Sequence, residues 1–435
     1  MPKIHTRSNK KHPMHNGQLI YSDTTTSSDK TVTGTPAYGE NGHNGTSSRN
    51  GASGNINGHT APYDVVCFSH LRWGFVYQRP QHLMSRWARE HRVFFIEEPV
   101  FGEDGPALRI TQDNNSNVKI AVPVLPDGLS EQETNAALET LVKTMLADEN
   151  IAKYILWYYT PMALEFSRDL QPLVSIYDCM DELSAFKGAP EPMVAREREL
   201  FNRTQAVFTG GASLYEAKRT QHENVHAFAS SVDAGHFMQA RQGITEPMDQ
   251  ASIPHPRIGF FGVIDERLDI HLLDGIAALC PDHQFIMIGP VVKINPADLP
   301  KRENIHYMGG RDYTDLPAYL AGWDIAMMPF ARNESTRFIS PTKTLEYLAA
   351  GRPVISTSIR DVVRPYGDMN MVHIADTPEE FAAAIRSIMN ESHNTQEWLA
   401  RVDSYLSGLS WDRTWENMKG LVNAAVEKHR AAAWA

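Results

Sequence analysis

From residue 64 onward, short apolar runs alternate with stretches whose apolar positions recur every three or four residues. The runs at 64–68, 93–97, 118–122, 154–159, 173–177, 206–209 and 225–228 are too short and too continuously apolar for amphipathic helices, and they read as buried strands. A helix is expected near 80–90. Over 237–256 the alternation pauses in a polar, proline-bearing stretch (Ile253-Pro254-His255-Pro256) that suits a linker. It then restarts, with strands expected at 257–262, 284–289, 305–308 and 324–329 and helices at 268–278, 316–321 and 378–389. Strands separated by helices imply a parallel sheet covered on both faces. The fold class is therefore α/β, with two Rossmann-like βα domains, 61–236 and 257–408, facing a central cleft. Residues 409–435 are expected as a helix that crosses back to the first domain.

Residues 1–60 follow no such pattern. Gly, Asn, Ser and Thr fill 31 of these 60 positions, too few apolar groups to offset the entropy of ordering, so a disordered tail is expected.

One segment of the second half carries chemistry. Ser340 suits a helix N-cap, Pro341 the first helical position, and Gly351-Arg352-Pro353 a stop before an apolar strand at Val354. A helix N-terminus beside strand ends binds anions through its unpaired amides, here those near Thr342 and Thr344. Lys343 adds a full charge to the first turn. Glu346, three residues on, lies on the same face and can accept hydrogen bonds from sugar hydroxyls. Phosphate plus sugar points to a nucleotide-sugar site.

The bulk numbers narrow this further. A length of 435 residues exceeds one ordinary core. A formal net charge of −11 argues against a nucleic-acid partner. Cys67, Cys179 and Cys280 are widely spaced, which suits a reduced, cytoplasmic setting. No apolar run approaches the roughly 20 residues that span a bilayer, and contact with the inner face of a membrane stays open.

Four segments in order resemble the GT-B glycosyltransferases of family 4, in particular the bacterial polysaccharide and teichuronic-acid-type transferases. They are Val232-Asp233-Ala234-Gly235-His236-Phe237, the stretch from Gly309-Gly310-Arg311 to Leu316-Pro317-Ala318-Tyr319-Leu320, Trp323 to Phe330, and Lys343 to Ile355. The stretch His70 to Leu83 resembles the first βα loop of the teichuronic-acid-type members. The family carries a pair of glutamates eight positions apart. Glu346 matches the second, which in the family holds the ribose, but the first position is Phe338. Glu334, four residues upstream of it, is a candidate to serve a related purpose on a reshaped loop.

The resemblance implies metal-independent transfer of a sugar, with retention of configuration, from a nucleotide diphosphate, expected to be UDP, to a glycan or lipid-linked acceptor. No cofactor is expected. Gly262 lets the backbone approach the donor, Arg267 pairs with the diphosphate, and Arg311 lies in the loop that holds the base; Arg267 and Lys343 would stabilise the departing charge. In the first domain, Arg79, Gln81, His82 and Asp178 are candidates for binding the acceptor, and Asp181 for orienting or deprotonating its hydroxyl. The Asp178-x-x-Asp181 spacing is not that of a metal-dependent transferase. A UDP-sugar 2-epimerase of similar architecture and a non-catalytic nucleotide-sugar scaffold remain open as alternatives.

Overall fold

The computed structural model describes residues 63–102, 105–390 and 395–434; the expected tail lies outside the described residues. Two sheets dominate. The first has nine strands. Eight run parallel, in the order Val100–Gly102, Lys119–Pro126, Val93–Ile96, Asp64–Phe68, Tyr154–Tyr158, Ser175–Cys179, Ala206–Thr209 and Val225–Ala227, while Ala107–Gln112 joins Lys119–Pro126 antiparallel. The second has six parallel strands, in the order Ile305–Gly309, Gln284–Ile288, Arg257–Phe261, Ile325–Met328, Val354–Ser356 and Val372–Ile374. In both sheets the order doubles back beside the domain's first strand, which opens a crevice at the carboxyl ends of the strands.

The central strands are apolar because both their faces are covered. Every residue of Asp64–Phe68, Tyr154–Tyr158, Ser175–Cys179 and Arg257–Phe261 is buried. The periodicity did not reveal the antiparallel strand Ala107–Gln112, which is largely exposed, nor the helix Glu131–Asp148. Yet that helix carries a local start signal: Glu133 N–H donates to Ser130 Oγ at 3.3 Å and Ser130 N–H to the Glu133 carboxylate at 2.8 Å. The stretch 237–256 is not a bare connector. Ala234–Met238 and Met248–Ala251 are helical, Phe237 is buried in the second core, and the Gln250 amide donates to the Tyr319 carbonyl and accepts from Trp323 Nε1.

The last helix, Trp411–Trp434, returns to the first domain. Trp411, Trp415, Met418, Val422 and Val426, spaced by three and four residues, join the core that holds Trp87 and Trp157. Asp412 at its start takes hydrogen bonds from Arg86 at 3.1 Å and Arg89 at 2.6 Å. Among the described residues no helix is long and apolar enough to cross a membrane.

A buried ion pair fixes the mouth of the first sheet. Arg79 opens the helix Arg79–Trp87 and is 1% exposed; Asp178, on Ser175–Cys179, is 0% exposed. Arg79 Nε and Nη2 donate to Asp178 at 3.1 and 2.8 Å, and Nη1 donates to the Phe228 carbonyl at 2.7 Å. Burial pushes the Asp178 carboxyl up, against the pull of Arg79. Three segments far apart in sequence are thereby tied together, and neither group is available to an acceptor.

Two outcomes follow for stability. Trp411→Ala leaves a cavity under the returning helix and should cost about 3–5 kcal/mol, read as an earlier first transition in urea. Arg79→Met strands a buried carboxylate and should cost about 3–5 kcal/mol, whereas the double replacement Arg79→Met with Asp178→Leu should recover much of that loss in the same assay.

Candidate active site

Between the two sheets lies a cleft of about 1310 Å³. Its second-domain wall is built by the loops that follow the strands. The helix Thr342–Ala349 points its first turn into this space, and Thr342, Lys343 and Glu346 line it. The helix starts later than expected. Pro341, not Ser340, occupies the N-cap position, and no side chain caps the helix, because the extended backbone of Pro341 carries the turn. Ser340 instead packs against Gly211 of the first domain. The backbone amides of Thr342 and Lys343 have no partner among the described residues and are open to an anion. Thr344 is a correction: its side chain is fully buried, with Oγ1 against Met328 Sδ at 3.6 Å, and it does not reach the cleft.

Lys343 and Glu346 share one face of this helix. Gly262, with φ of 138°, leaves room for the lysine, since a Cβ there would run into the Lys343 tail. The ammonium lies 5.8 Å from the Phe260 ring centre and 6.0 Å from that of Phe330. Neither the Lys343 ammonium nor the Glu346 carboxyl has a hydrogen-bond partner among the described residues. Burial lowers the Lys343 pKa to about 8, reinforced by the nearby Arg267, and raises that of Glu346 to about 7, with Lys343 pulling it back. Two poorly solvated, unpartnered groups at the mouth of a cleft are suited to a ligand that brings both a negative charge and hydroxyl donors.

Arg267 also borders the cleft. Its Nε and Nη2 donate to Asp265 at 3.0 and 2.7 Å, which fixes the guanidinium without burying it: the side chain is 28% exposed. Arg311 lines the cleft too, but its guanidinium is engaged by Asp249 at 2.6 Å, by the Gly310 carbonyl at 2.8 Å and by the Tyr319 hydroxyl. It braces the loop after Ile305–Gly309 rather than offering free donors to a base. Beside it, Tyr313 stacks on His236 with centroids 4.5 Å apart and meets Tyr77 of the first domain at 4.7 Å.

The first-domain wall differs most from expectation. Arg79 and Asp178 are consumed by their own pair. Gln81 is 1% exposed; its amide donates to the Trp73 carbonyl at 2.8 Å and accepts from Gln78 N–H at 3.1 Å, so it shapes the loop instead of binding an acceptor. His82 does border the cleft, with its ring stacked on Trp411 at 4.5 Å and its pKa lowered by burial. Asp181 is partly buried, and its carboxyl is pushed up by burial and held back by Arg267, Arg79 and Lys343. It therefore lies within electrostatic reach of cations of both domains, without a hydrogen bond to any of them among the described residues. The wall also uses Arg89 and the loop 113–117, which sequence reasoning missed. The run Asp113-Asn114-Asn115-Ser116-Asn117 was a legible turn signal, but nothing local shows that this turn rims a cleft.

Glu334 is no substitute for the absent glutamate: its side chain is 76% exposed and pairs with Arg337. Phe338 packs against the first domain's core, with the Arg337 guanidinium 5.2 Å over its ring.

Comparisons with known proteins agree with this architecture. Residues 255–391 match the family described as Glycosyl transferases group 1. The chain is 23% identical over 274 residues to a putative teichuronic acid biosynthesis glycosyltransferase, TuaH, of Bacillus subtilis; the match covers 57% of this chain and 66% of that relative. A sucrose-phosphate synthase from Thermosynechococcus elongatus shares the fold at a TM-score of 0.64 and 12% identity, covering 83% of this chain and 98% of the other. The Anabaena protein HepE, solved with UDP and glucose, does so at 0.59 and 13%, covering 83% and 99%. Residues 255–391 therefore match the glycosyl transferases group 1 family, within a chain that has the GT-B fold.

Proposed function

We propose that the protein transfers a sugar from a nucleotide diphosphate, UDP by preference, to a hydroxyl of a glycan or lipid-linked acceptor. The observation that carries this reading is the pair Lys343 and Glu346, unpartnered and poorly solvated on the first turns of a helix that opens into the interdomain cleft. A diphosphate supplies the charge that Lys343 and the free amides of Thr342 and Lys343 lack, and ribose hydroxyls supply the donors that Glu346 lacks. The HepE complex with UDP and glucose supports the choice of donor, and the likeness to TuaH supports a cell-envelope polysaccharide as the acceptor class.

In this reading the diphosphate leaves against Arg267, Lys343 and the helix N-terminus. Fixed charges and dipoles stabilise the anion as the bond from the anomeric carbon to the phosphate oxygen breaks. No step requires a metal ion. Asp181, on the first domain and within electrostatic reach of these cations, orients the acceptor hydroxyl once the domains close on both substrates. Retention of configuration is the stereochemistry that the family resemblance favours.

Lys343→Ala should weaken UDP binding about 30-fold or more, because it removes a charge-assisted contact in a poorly solvated site. Glu346→Ala should weaken it about tenfold. Titration calorimetry with UDP measures both; unchanged affinity in both variants would sink the site assignment. UDP-sugar turnover then separates the readings, since transfer needs an added acceptor, an epimerase yields an isomeric nucleotide sugar without one, and a scaffold releases no product.

The pH dependence has a defined sign. Lys343 loses its proton as pH rises through about 8, so UDP affinity should fall above that point. Glu346 gains a proton as pH falls through about 7, so affinity should also fall below it. Calorimetry in buffers of different ionisation enthalpy should show proton uptake on UDP binding above about pH 8, and a flat profile across the whole range would contradict it.

A further inference from the structure

The loop 181–190 of the first domain reaches across the cleft to the cations of the second. Its base is anchored: Glu182 pairs with Lys218 at 2.7 Å, and that buried lysine also pairs with Glu197 at 2.6 Å. Its tip is a tight turn, with Phe186 N–H donating to the Leu183 carbonyl at 3.3 Å and Ala189 N–H to the Phe186 carbonyl at 3.1 Å. These bonds set the backbone from which the Phe186 ring projects. From the second domain, Arg267 lies 5.6 Å and Lys293 5.5 Å from its centroid. Both distances fall within the range where a cation is drawn to the negative face of a ring.

The two cations arrive as a unit. Ile264 N–H donates to the Pro290 carbonyl at 2.9 Å and Val292 N–H to the Ile264 carbonyl at 3.0 Å, so the loops after Arg257–Phe261 and Gln284–Ile288 are bridged together. Arg267 is locked to Asp265 on one side, and its backbone carbonyl accepts from Ala331 N–H at 2.8 Å. Because the ring belongs to one domain and the cations to the other, the contact depends on how the two domains stand.

We infer that Phe186 is a positioning residue for the donor diphosphate: through Arg267, with Lys293 on the same ring, it couples the placement of the cleft's arginine to closure of the first domain over it. The inference rests on the donor reading proposed above. Phe186 itself touches no substrate in it. The aromatic face supplies attraction without adding a further negative charge beside a guanidinium that Asp265 already holds.

The test compares Phe186→Leu, which keeps apolar bulk but loses the ring, with Phe186→Tyr, which keeps the ring. UDP and UMP are the probes, titrated by calorimetry, with thermal unfolding as a check on the fold. Phe186→Leu should weaken UDP about five- to thirtyfold and leave UMP, which lacks the second phosphate, within about twofold. Phe186→Tyr should bind both like the unaltered chain. Equal loss for UDP and UMP, or loss in Phe186→Tyr matching that in Phe186→Leu, would reduce the residue to a packing role and overturn the inference. Unchanged UDP binding in Phe186→Leu would overturn it too, while the donor reading would stand. An unaltered chain that binds neither nucleotide would instead defeat the donor reading, and the inference with it.

Discussion

The ammonium of Lys343 is kept poorly solvated and without a hydrogen-bond partner among the described residues, and much of the second domain is arranged so that this is tolerable. A desolvated charge is costly unless something opposite completes it. Glu346 sits one turn away but is itself pushed toward its neutral form by burial, so the pair only partly satisfies itself. Gly262 must lack a side chain for the lysine to lie where it does, and Gly289 must lack one because Gly262 is so close. The constraint propagates from the helix through two strand ends. A site held in this condition favours a ligand that brings charge with it.

The second domain was legible because its chemistry is local. Lys343 and Glu346 lie three residues apart on one helix, the Gly351 to Pro353 stop is contiguous with it, and the strand at Val354 follows at once. Helical spacing placed both side chains on one face before any tertiary contact was known. The one local error, Ser340 as the cap, is a displacement of one residue: the sequence offered a capping hydroxyl, and the turn at Pro341 proceeded without it. Thr344 shows the limit of the same logic. Its position in the first turns suggested phosphate binding, but its direction around the helix sends it into the core against Met328.

The first domain was legible in its strands and not in its site. Its rim comes from segments separated by tens of residues, and the candidate side chains were polar groups with more than one possible partner. Arg79 is the instructive case, since a basic residue at a helix start beside a cleft resembles an anion ligand until Asp178, 99 residues away, is seen to take its donors. Burial of both groups decided the matter. Gln81 met the same fate at closer range, closing a loop that begins at Trp73. Spacing along the chain carries no record of such pairings.

Phe338 draws the two domains into one argument. A phenyl ring cannot accept a hydroxyl or oppose a developing positive charge as a carboxylate can, and here its ring is turned into the first domain's core. Glu334 is too exposed to replace it. A carboxyl within electrostatic reach of Arg267 and Lys343 is Asp181, and it belongs to the opposite domain. If the acidic complement of the donor site comes from across the cleft, the second domain alone can hold a nucleotide but cannot finish the site around the sugar. The contact of Phe186 with Arg267 and Lys293 has the same dependence on domain placement. A position that in the resembling family serves the sugar directly is here a point of contact between the domains.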